Sequence, residues 1–512
     1  MAIHWFFSLL FYTNISRNAT MAKTIRVIGG GVAGLSAAIR LAHKGYAVSL
    51  YEQNRTLGGK MNRLTMQGYQ FDTGPSLVTM PFVIEELFDS VGEKITDYMS
   101  FVPVNPICRY FFPDQTVFDA WADRKKMIAE LERSFPNEVD NFKRFMAYSA
   151  RIYKNTANVF LFSPIHEWLR LVNLKNLLLL MRIYQIDPFR TVHQAVSRFF
   201  DHPFLIQLFD RYATYNGSDP YRAPATLNTI PHVEYALKSF YVRGGIYALT
   251  EALVKLAQRV GVSIYTNTRV EKILQKQKRV SAIRIDGENV DADAVVCNSD
   301  VVVTYNDLLS GLTRQTCKLN QLEPSLSGLC FFWGVNKSFP QCKQHNIIFS
   351  DDYAREFHQI FQLKQPPDDP TIYIAVTCKK DPQHAPSGSE NWFVLLNMPY
   401  LTSNDPWDLT VTRMREQVLT KLKKAGIDAE AHIECEKVMT PLDIRDTFSS
   451  NCGSIYGLSS NSMTAAFSRP ANRNRDLKGL YFAGGSVHPG GGVPLCMLSG
   501  KMAAELVSRY EK

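Results

Sequence analysis

A glycine-rich segment near the start of the chain has the spacing of a phosphate-binding turn. Residues 29–34 (GGGVAG) satisfy the pattern Gly-x-Gly-x-x-Gly. Gly29 would form the tight turn, Gly31 would let the backbone approach a pyrophosphate, and Gly34 would allow a helix to pack closely on a strand. Because the unpaired N–H groups at the start of a helix favour negative charge, this pattern predicts that the segment binds a dinucleotide.

The elements on either side of the turn are those that such a site requires. Residues 23–28 (KTIRVI) form a short β-branched run, which predicts a buried parallel strand. A segment of helical periodicity follows the turn and ends at Gly45, the residue type expected after a helix. Residues 47–51 (AVSLY) predict a second strand, and it ends in Glu52. We therefore expect Glu52 to accept hydrogen bonds from the adenosine ribose hydroxyls.

Two further turns follow this acidic residue. Gly58 and Gly59 precede Lys60, and residues 72–75 read DTGP. The first of these turns could lie along the same pyrophosphate and a flavin, with Lys60 as a nearby cation. The alternative is a surface turn with a solvated lysine. Two additional glycine turns directly after the nucleotide-binding acid are typical of flavoproteins, so the sequence favours FAD over NAD.

A second strand–glycine–helix unit lies close to the C-terminus. Residues 479–483 predict a strand that leads into Gly484 and Gly485, and residues 490–492 are three further glycines. A helix is predicted from about Pro494, and its N-terminus could face the flavin ring or the pyrophosphate.

Together these segments resemble the flavin-dependent carotenoid desaturases of the phytoene dehydrogenase family, a branch of the amine oxidase and protoporphyrinogen oxidase superfamily. Residues 441–473 match the blocks Pro-x-Asp, Gly-Ser-x-Tyr-Gly-Leu and Arg-Pro-x-Asn-Arg of that family. Residues 243–254 match its Gly-Gly-x-x-x-Leu helix start, which precedes a predicted strand at 261–273. The likeness extends from about Met21 to Glu511. Within the family, residues 211–228 are most similar to the hydroxyneurosporene, or 1-hydroxycarotenoid, 3,4-desaturases.

The resemblance implies an α/β fold in which a discontinuous Rossmann-like FAD-binding domain carries an inserted α+β substrate domain. Residues 1–20 would be an extension or a start-site artefact. The FAD-binding domain would comprise 21–95, 240–310 and 435–512. The substrate domain, which would also face a membrane, would comprise 96–239 and 311–434.

The implied activity is the introduction of C=C bonds into an acyclic carotenoid. A hydride would pass to the flavin and a proton would leave the neighbouring carbon, with a quinone or oxygen as the final electron acceptor. The residues implied to bind the cofactor are Gly29, Gly31, Gly34, Glu52, Gly59, Lys60, Val270, Gly485 and Val493. His488 is the candidate polar group beside the ring, although it could simply cap a helix. Arg211, Tyr212 and Tyr215 could line the mouth of a substrate tunnel or be ordinary core and surface residues.

Several other functions share these motifs. Phytoene or diapophytoene desaturation, flavin-dependent isomerisation of a carotenoid double bond, and amine or protoporphyrinogen oxidation are alternatives of the same fold. Cys496 lies where many amine oxidases tether their flavin, but the Arg-Pro-x-Asn-Arg segment favours the desaturases. A prenyl-lipid carrier of the Rab-GDP-dissociation-inhibitor type would lack flavin and have eroded glycine motifs, whereas both motifs are intact here.

Composition fits an enzyme that handles an apolar substrate at a membrane surface. Aromatic residues make up 12 % of the chain and the formal net charge is +9, yet there is no uninterrupted apolar run of about 20 residues. Residues 158–189 are strongly apolar but contain Arg170, Lys175 and Arg182, which predicts a segment that lies on anionic lipid. The alternative is a lid helix. We therefore expect a cytoplasmic protein at the membrane periphery, with no nucleic-acid partner.

The nine cysteines are scattered and form no Cys-x-x-Cys pair. This distribution predicts reduced thiols, with neither a disulfide framework nor a metal site.

Overall fold

The computed structural model describes residues 22–167, 183–311, 313–403, 407–463 and 468–512. The strands are β1 (Thr24–Ile28), β2 (Ala47–Tyr51), β3 (Arg63–Met66), β4 (Tyr69–Asp72), β5 (Val78–Thr79), β6 (Phe101–Pro103), β7 (Cys108–Phe111), β8 (Val117–Ala120), β9 (Ser239–Val242), β10 (Ser263–Tyr265), β11 (Val270–Lys276), β12 (Arg279–Ile285), β13 (Glu288–Asp291), β14 (Ala294–Cys297), β15 (Ser327–Val335), β16 (His345–Ile348), β17 (Ile372–Ala375), β18 (Glu390–Met398), β19 (Ile433–Met439) and β20 (Leu480–Phe482).

The α-helices are α1 (Val32–His43), α2 (Phe82–Asp89), α3 (Arg124–Ser134), α4 (Val139–Thr156), α5 (Val192–Val196), α6 (Pro203–Asp210), α7 (Thr229–Tyr235), α8 (Tyr247–Arg259), α9 (Val301–Val303), α10 (Thr313–Asn320), α11 (Tyr353–His358), α12 (Asp408–Lys424), α13 (Pro441–Phe448) and α14 (Val493–Tyr510).

The first layer is a five-stranded sheet of order β10-β2-β1-β14-β20, and all of its pairs are parallel. Its central strands are short apolar runs, and Ile25 and Val27 of β1 are completely buried. Strands of this kind require a helix on each face, since both faces of the sheet are apolar. The strands come from three separate stretches of the chain, in agreement with the predicted discontinuous α/β domain.

Helices α1 and α14 pack tightly on one another and on this sheet. A Cβ atom at Gly500 of α14 would lie 2.3 Å from the carbonyl oxygen of Ala33 in α1, so glycine permits the close contact. Residues 33–41 of α1 are all buried. The contact brings the first and last helices of the described chain side by side, and the N-termini of both therefore lie near one edge of the sheet.

The second layer is a seven-stranded sheet of order β19-β15-β18-β17-β16-β7-β8, antiparallel except for the pair of β16 with β7. Every residue of β15 is buried. Three aromatic rings of this strand, Phe331, Phe332 and Trp333, are fully buried, and they alternate between two hydrophobic clusters on opposite faces of the sheet. This apolar sheet lies under an aromatic helical layer built from α4, α6 and α7.

The prediction of a single strand at 261–273 is wrong, because this segment forms two strands. β10 pairs with β2 in the parallel sheet, whereas β11 pairs with β12 in a separate antiparallel sheet. The chain turns between them through Asn267, whose φ of +50° a continuous strand cannot contain. The domain boundaries proposed from the sequence stay a prediction.

The apolar segment predicted to lie on a membrane is described only at its flanks. Trp168, Leu169, Arg170, Val172, Lys175, Leu179 and Arg182 lie outside the described residues. Among the helices of the described ranges, none combines the length and the apolarity that crossing a bilayer requires.

Candidate functional site

A single cavity of about 740 Å³ extends between the two layers. At one end it is lined by Gly29, Gly31 and Glu52, at the carboxyl ends of the parallel strands. At the other end it reaches apolar side chains of the mixed sheet, among them Phe393 and Leu395. Ligands in open α/β sheets bind outside the carboxyl ends of the strands, so the cavity begins where a nucleotide is expected.

The first glycine turn has the close packing that its sequence predicts. A Cβ atom at Gly34 would lie 2.2 Å from the carbonyl oxygen of Gly29, and one at Gly31 would lie 2.8 Å from Oδ1 of Asn298. Gly29 has a φ of +95°, which side chains disfavour. These three glycines therefore keep the turn compact and leave backbone atoms of α1 open to the cavity.

Glu52 lies at the end of β2 and is 6 % exposed. One of its carboxylate oxygens accepts a hydrogen bond from the backbone N–H of Gly30 at 2.8 Å, and the other accepts one from Asn54 at 2.9 Å. The carboxylate therefore joins the glycine turn to the second strand. It also lines the cavity, and its contact with a ribose stays a prediction.

The second glycine turn is attached to the first by a hydrogen bond from the Gly58 N–H to the Gly30 carbonyl at 2.9 Å. Lys60 is half-buried in the cavity wall, and its Nζ donates to the carbonyls of Ser454 at 2.8 Å and Ile455 at 2.7 Å. Removal from water lowers the pKa of Lys60 to about 8, although the nearby Asp300 carboxylate acts in the opposite direction. The alternative of a solvated surface turn is therefore wrong.

The C-terminal unit reaches the same cavity. Gly484, Gly485 and the first turn of α14 line it, including Val493 at the start of that helix. Its cap residue is Gly492, which has no side chain with which to cap the helix. Val270, at the start of β11, also lines the cavity and is 6 % exposed. The structure thus brings all of the proposed cofactor-binding residues except Gly34 to the cavity wall, and Gly34 lies one turn behind it.

The sequence reasoning missed Asn298, which follows β14. Its Oδ1 accepts from the Gly34 N–H at 3.1 Å, and its Nδ2 donates to the Ala483 carbonyl at 2.9 Å. One side chain therefore ties the first glycine turn to the C-terminal unit. The available signal was its position, since a polar residue directly after a buried strand lies at the carboxyl edge of the sheet.

The Arg-Pro-x-Asn-Arg block holds the C-terminal glycine loop in place. Arg469 is 5 % exposed and donates to the carbonyls of Gly485 at 2.9 Å and Leu458 at 3.0 Å. Burial lowers the pKa of this guanidinium to about 10. Asn472 donates to the carbonyl of His488 at 2.8 Å. The block therefore fixes this part of the cavity wall, and Arg469 itself lines the cavity.

His488 lines the cavity but is only 3 % exposed. Its Nε2 lies 2.8 Å from the carbonyl oxygen of Ser163, so Nε2 carries the proton and donates. Burial lowers the pKa of the imidazole to about 4, and the ring is neutral at pH 7. The side chain thus connects the C-terminal loop to the described flank of the 158–189 segment, and its catalytic role stays a prediction.

Arg211 and Tyr215 lie in the wall of the cavity near its apolar end. Arg211 is 7 % exposed, so it is an interior residue. Its Nη2 donates to the hydroxyl of Tyr110 at 2.8 Å, and its guanidinium lies 3.7 Å from the Glu234 carboxylate. Glu234 also accepts hydrogen bonds from the hydroxyls of Tyr212 and Tyr215. Tyr212 itself is completely buried and is not among the lining residues.

No group of three or more His, Cys, Asp or Glu side chains in the described ranges could hold a metal ion. All nine cysteines are free thiols.

Comparison with known proteins identifies the relatives of this chain. Residues 32–508 match the family of flavin containing amine oxidoreductases. A 1-hydroxycarotenoid 3,4-desaturase of Flavobacterium sp. (strain P99-3) is 40 % identical over 95 % of this chain and 99 % of its own. A 4,4'-diapolycopene oxygenase of Methylomonas sp is 37 % identical over 96 % of this chain and 99 % of its own. A 4,4'-diaponeurosporene oxygenase of Staphylococcus haemolyticus (strain JCSC1435) is 35 % identical over 96 % of this chain and 98 % of its own.

Solved structures share the fold at low sequence identity. Cyclohexylamine oxidase from Brevibacterium oxydans IH-35A superposes with a TM-score of 0.64 at 14 % identity, over 96 % of this chain and 100 % of that one. Wild-type putrescine oxidase bound to putrescine gives a TM-score of 0.62 at 13 % identity, over 96 % of this chain and 100 % of that one. These likenesses confirm the α/β fold of flavin amine oxidases that the sequence predicts.

The cavity fits the cofactor of this family. Gly31 and Gly492 begin two helices whose first turns open on the cavity without a side-chain cap, and a Cβ atom at Gly492 would meet nothing within 4 Å. Such termini favour phosphate and other anionic groups, and Lys60 adds a cation. FAD is the cofactor, and the enzyme is an oxidoreductase that acts on CH–CH groups. The chain therefore belongs to the flavin containing amine oxidoreductase family, in the branch of the carotenoid desaturases.

Proposed function

We propose that the protein is an FAD-dependent desaturase of acyclic carotenoids, and specifically a 1-hydroxycarotenoid 3,4-desaturase. The observation that carries this proposal is the continuity of the cavity, which connects the glycine turns to an apolar chamber under the mixed sheet. A polyene is rigid and apolar, so it needs such a chamber beside the flavin. The 40 % identity with a 1-hydroxycarotenoid 3,4-desaturase, over almost the full length of both chains, supports the finer assignment.

When bound, FAD would supply the acceptor for the hydride that leaves one C–H bond while the neighbouring carbon loses a proton, and a quinone or oxygen would be the final electron acceptor. The chain contributes alignment and the exclusion of water. The chamber is lined by Ile347, Phe393, Leu395 and Ile455, which hold the polyene by apolar contact. Gly29, Gly31, Glu52, Gly59, Lys60, Val270, Gly485 and Val493 line the part that we assign to FAD, with Gly34 directly behind the turn. His488 is the candidate polar group beside the ring.

A second candidate function is oxygenation of a carotenoid. Its support is the 37 % and 35 % identity with oxygenases of 4,4'-diapolycopene and 4,4'-diaponeurosporene. Both functions use the same cofactor and an apolar chamber. They differ in the product, because oxygenation adds an oxygen atom whereas desaturation removes two hydrogens.

Pigment analysis after co-expression tests the proposal. The full chain would be expressed in strains that accumulate phytoene, neurosporene, 1-hydroxycarotenoids or diapolycopene. We expect a product two mass units lighter from the 1-hydroxycarotenoid, with one further conjugated double bond. An oxygenated product from diapolycopene alone would favour the second function, and no change in any strain would contradict both. A Gly34→Ala variant expressed in parallel provides the control with weakened FAD binding.

We expect the affinity for FAD to fall as the pH rises through about 8, the pKa of Lys60. The anionic phosphate and ring groups of FAD favour the protonated form of Lys60. Above about pH 8 the lysine is mostly neutral, so FAD binding then requires Lys60 to take up a proton. The dissociation constant should then rise by at most about tenfold per pH unit. The measurement is a titration of the FAD-free chain from pH 7 to 10. Lys60→Met should bind FAD weakly with a flat profile, whereas the exposed Lys44→Met should behave as wild type. A flat wild-type profile would contradict this role.

We also propose that the enzyme takes its substrate from a membrane surface at the flanks of the 158–189 segment. Phe160 and Leu161 before the undescribed residues, and Ile186 and Pro188 after them, all line the cavity. The adjacent Phe189 is 82 % exposed, which is unusual for so large an apolar side chain. A lipid surface would bury this ring and place the cavity next to the dissolved carotenoid. The proposal therefore includes a cytoplasmic protein that associates peripherally with the membrane.

Phe189→Ser should lower the fraction of protein that floats with anionic vesicles. Burial of a Phe side chain contributes about 1.5–3 kcal/mol, so the partition coefficient should fall roughly tenfold or more. Leu409→Ser is the matched control, because Leu409 is 88 % exposed but lies on α12 and away from the cavity. Equal losses in both variants, or none in either, would contradict the proposed entry site.

A further inference from the structure

Strand β18 presents alternate side chains to the two faces of the mixed sheet. The side chains that point away from the cavity are all apolar and belong to one cluster, and they are Trp392, Val394, Leu396 and Met398. On the cavity face, Phe393 and Leu395 are followed by Asn397, and all three line the cavity. Asn397 therefore places an amide at the third position of a row that is otherwise apolar.

The Asn397 amide is accessible from the cavity and has no partner in the described ranges of the protein. The residue is half-buried, and neither its side-chain oxygen nor its nitrogen is among the unpaired polar atoms that are fully enclosed. Asn391 of the same strand is different, because its amide donates to the Gln70 carbonyl and to the Thr377 hydroxyl. Polar groups inside proteins are nearly always paired, so the partner of Asn397 must come from the contents of the cavity.

The surroundings of this amide are apolar. Asn397 lies directly opposite Gly328 of β15, and such pairs point to the same face of a sheet. A Cβ atom at Gly328 would lie 2.7 Å from Cδ1 of Leu395 and 2.8 Å from Cδ1 of Ile455, so these two side chains cover the glycine. Asn397 is thus bordered by a bare glycine and by hydrocarbon, and a purely hydrocarbon ligand would leave its amide unpaired.

Ile455 also relates this amide to the part of the cavity that we assign to FAD. The Ile455 carbonyl accepts a hydrogen bond from Nζ of Lys60 at 2.7 Å. Its side chain covers Gly328, the residue opposite Asn397. One residue therefore lies between the Lys60 ammonium and the position of Asn397, which places the amide at the end of the chamber that adjoins the FAD part.

We propose that Asn397 recognises an uncharged hydroxyl group of the carotenoid, close to the bond that is oxidised. The Nδ2 group donates to the hydroxyl oxygen, and Oδ1 accepts from the hydroxyl O–H. A carboxylate can only accept, so it would leave Oδ1 unpaired. In a 1-hydroxycarotenoid only C2 separates the hydroxyl-bearing carbon from the C3–C4 bond, so a recognition group near the FAD part matches this substrate class. This inference rests on the proposed function, and it assigns the preference for a hydroxylated end to one side chain.

The test compares binding of a 1-hydroxycarotenoid with binding of the acyclic carotenoid hydrocarbon of equal length. The full chain carries FAD that has been chemically reduced, so no turnover occurs, and each carotenoid partitions into it from detergent micelles. The measured quantity is the ratio of the two dissociation constants, because partition into micelles contributes equally to this ratio in every variant. In Asn397→Leu the preference for the hydroxylated compound should fall at least about tenfold, with the affinity for the hydrocarbon retained.

Two further measurements separate recognition from a structural role. Leu395→Met changes the next side chain of the same row and alters apolar contacts with both compounds alike, so its ratio should equal that of the wild type. The denaturation midpoint of Asn397→Leu should be no lower than that of the wild type, because the variant removes an amide that has no protein partner.

An unchanged ratio in Asn397→Leu would overturn the proposal, since the amide would then pair with water only. A ratio that falls together with the denaturation midpoint would also overturn it, because the amide would then serve the structure of the wall. Failure of the oxidised enzyme to desaturate either compound would contradict the proposed function, while the binding ratio would still decide the role of Asn397.

Discussion

Replacing Gly34 by alanine should weaken FAD binding strongly. A Cβ atom at this position would lie 2.2 Å from the carbonyl oxygen of Gly29, more than 1 Å inside van der Waals contact. The opposing atom is backbone of the phosphate-binding turn itself, so relief requires the turn to open. Alanine is the better residue inside a helix by about 1 kcal/mol, but overpacking of this kind costs about 1–3 kcal/mol or more. We expect FAD affinity to fall about a hundredfold.

Flavin absorption of the purified protein, followed by titration with FAD, measures this effect. Gly45→Ala is the matched control at the other end of the same helix, where a Cβ atom would meet nothing within 4 Å. Its φ of +88° makes alanine strained there, so Gly45→Ala should lose some stability and still bind FAD as wild type does. A yellow Gly34→Ala protein with wild-type affinity would show that the turn is not the nucleotide site.

Replacing Glu234 by leucine should destabilise the chain by about 3–5 kcal/mol, the range for breaking a buried ion pair from one side. Glu234 is fully buried and accepts from the Tyr212 hydroxyl at 2.7 Å and from that of Tyr215. Its loss leaves the buried guanidinium of Arg211 without a counter-charge. The variant also leaves two phenols unpaired. Chemical denaturation of the FAD-loaded protein measures the change in the midpoint.

The control for this prediction is an ion pair at the surface. Arg63 and Glu251 lie 3.1 Å apart with side chains 35 % and 44 % exposed. Glu251→Leu should change stability by less than about 1 kcal/mol, because water screens the pair. Adding Arg211→Met to Glu234→Leu removes the stranded charge and should restore part of the loss. If Glu234→Leu unfolds at the wild-type midpoint, Arg211 is not a desolvated cation.

The part of the site that we assign to the nucleotide could be predicted from local sequence. Residues 29–34, Glu52 and Lys60 belong to a strand–turn–helix unit in which every spacing is short, so the pattern of glycines and apolar residues determines the local geometry. Strand β2 occupies the predicted residues, β1 differs by one, and α14 begins at Val493 where a start near Pro494 was predicted. The C-terminal unit could be recognised for the same reason, although it lies some 450 residues further along the chain.

The functions of individual side chains were less accessible, because they depend on contacts between distant parts of the chain. Lys60 was compatible with a solvated turn until the fold brought Ser454 and Ile455 to its ammonium. His488 was predicted as a polar group beside the ring, but the sequence could not show that its Nε2 donates to Ser163, which is 325 positions away. No local spacing encodes either contact.

The sequence by itself determined the α/β class, the two glycine units, the FAD cofactor and the family, because each follows from short-range patterns. Only the tertiary structure decided that Asn298 joins the two units, that one cavity connects them to an apolar chamber, and that Arg211 is an interior residue opposite Glu234. The physical reason is that hydrogen bonds, ion pairs and burial depend on distances in space. Chain separation alone does not fix those distances.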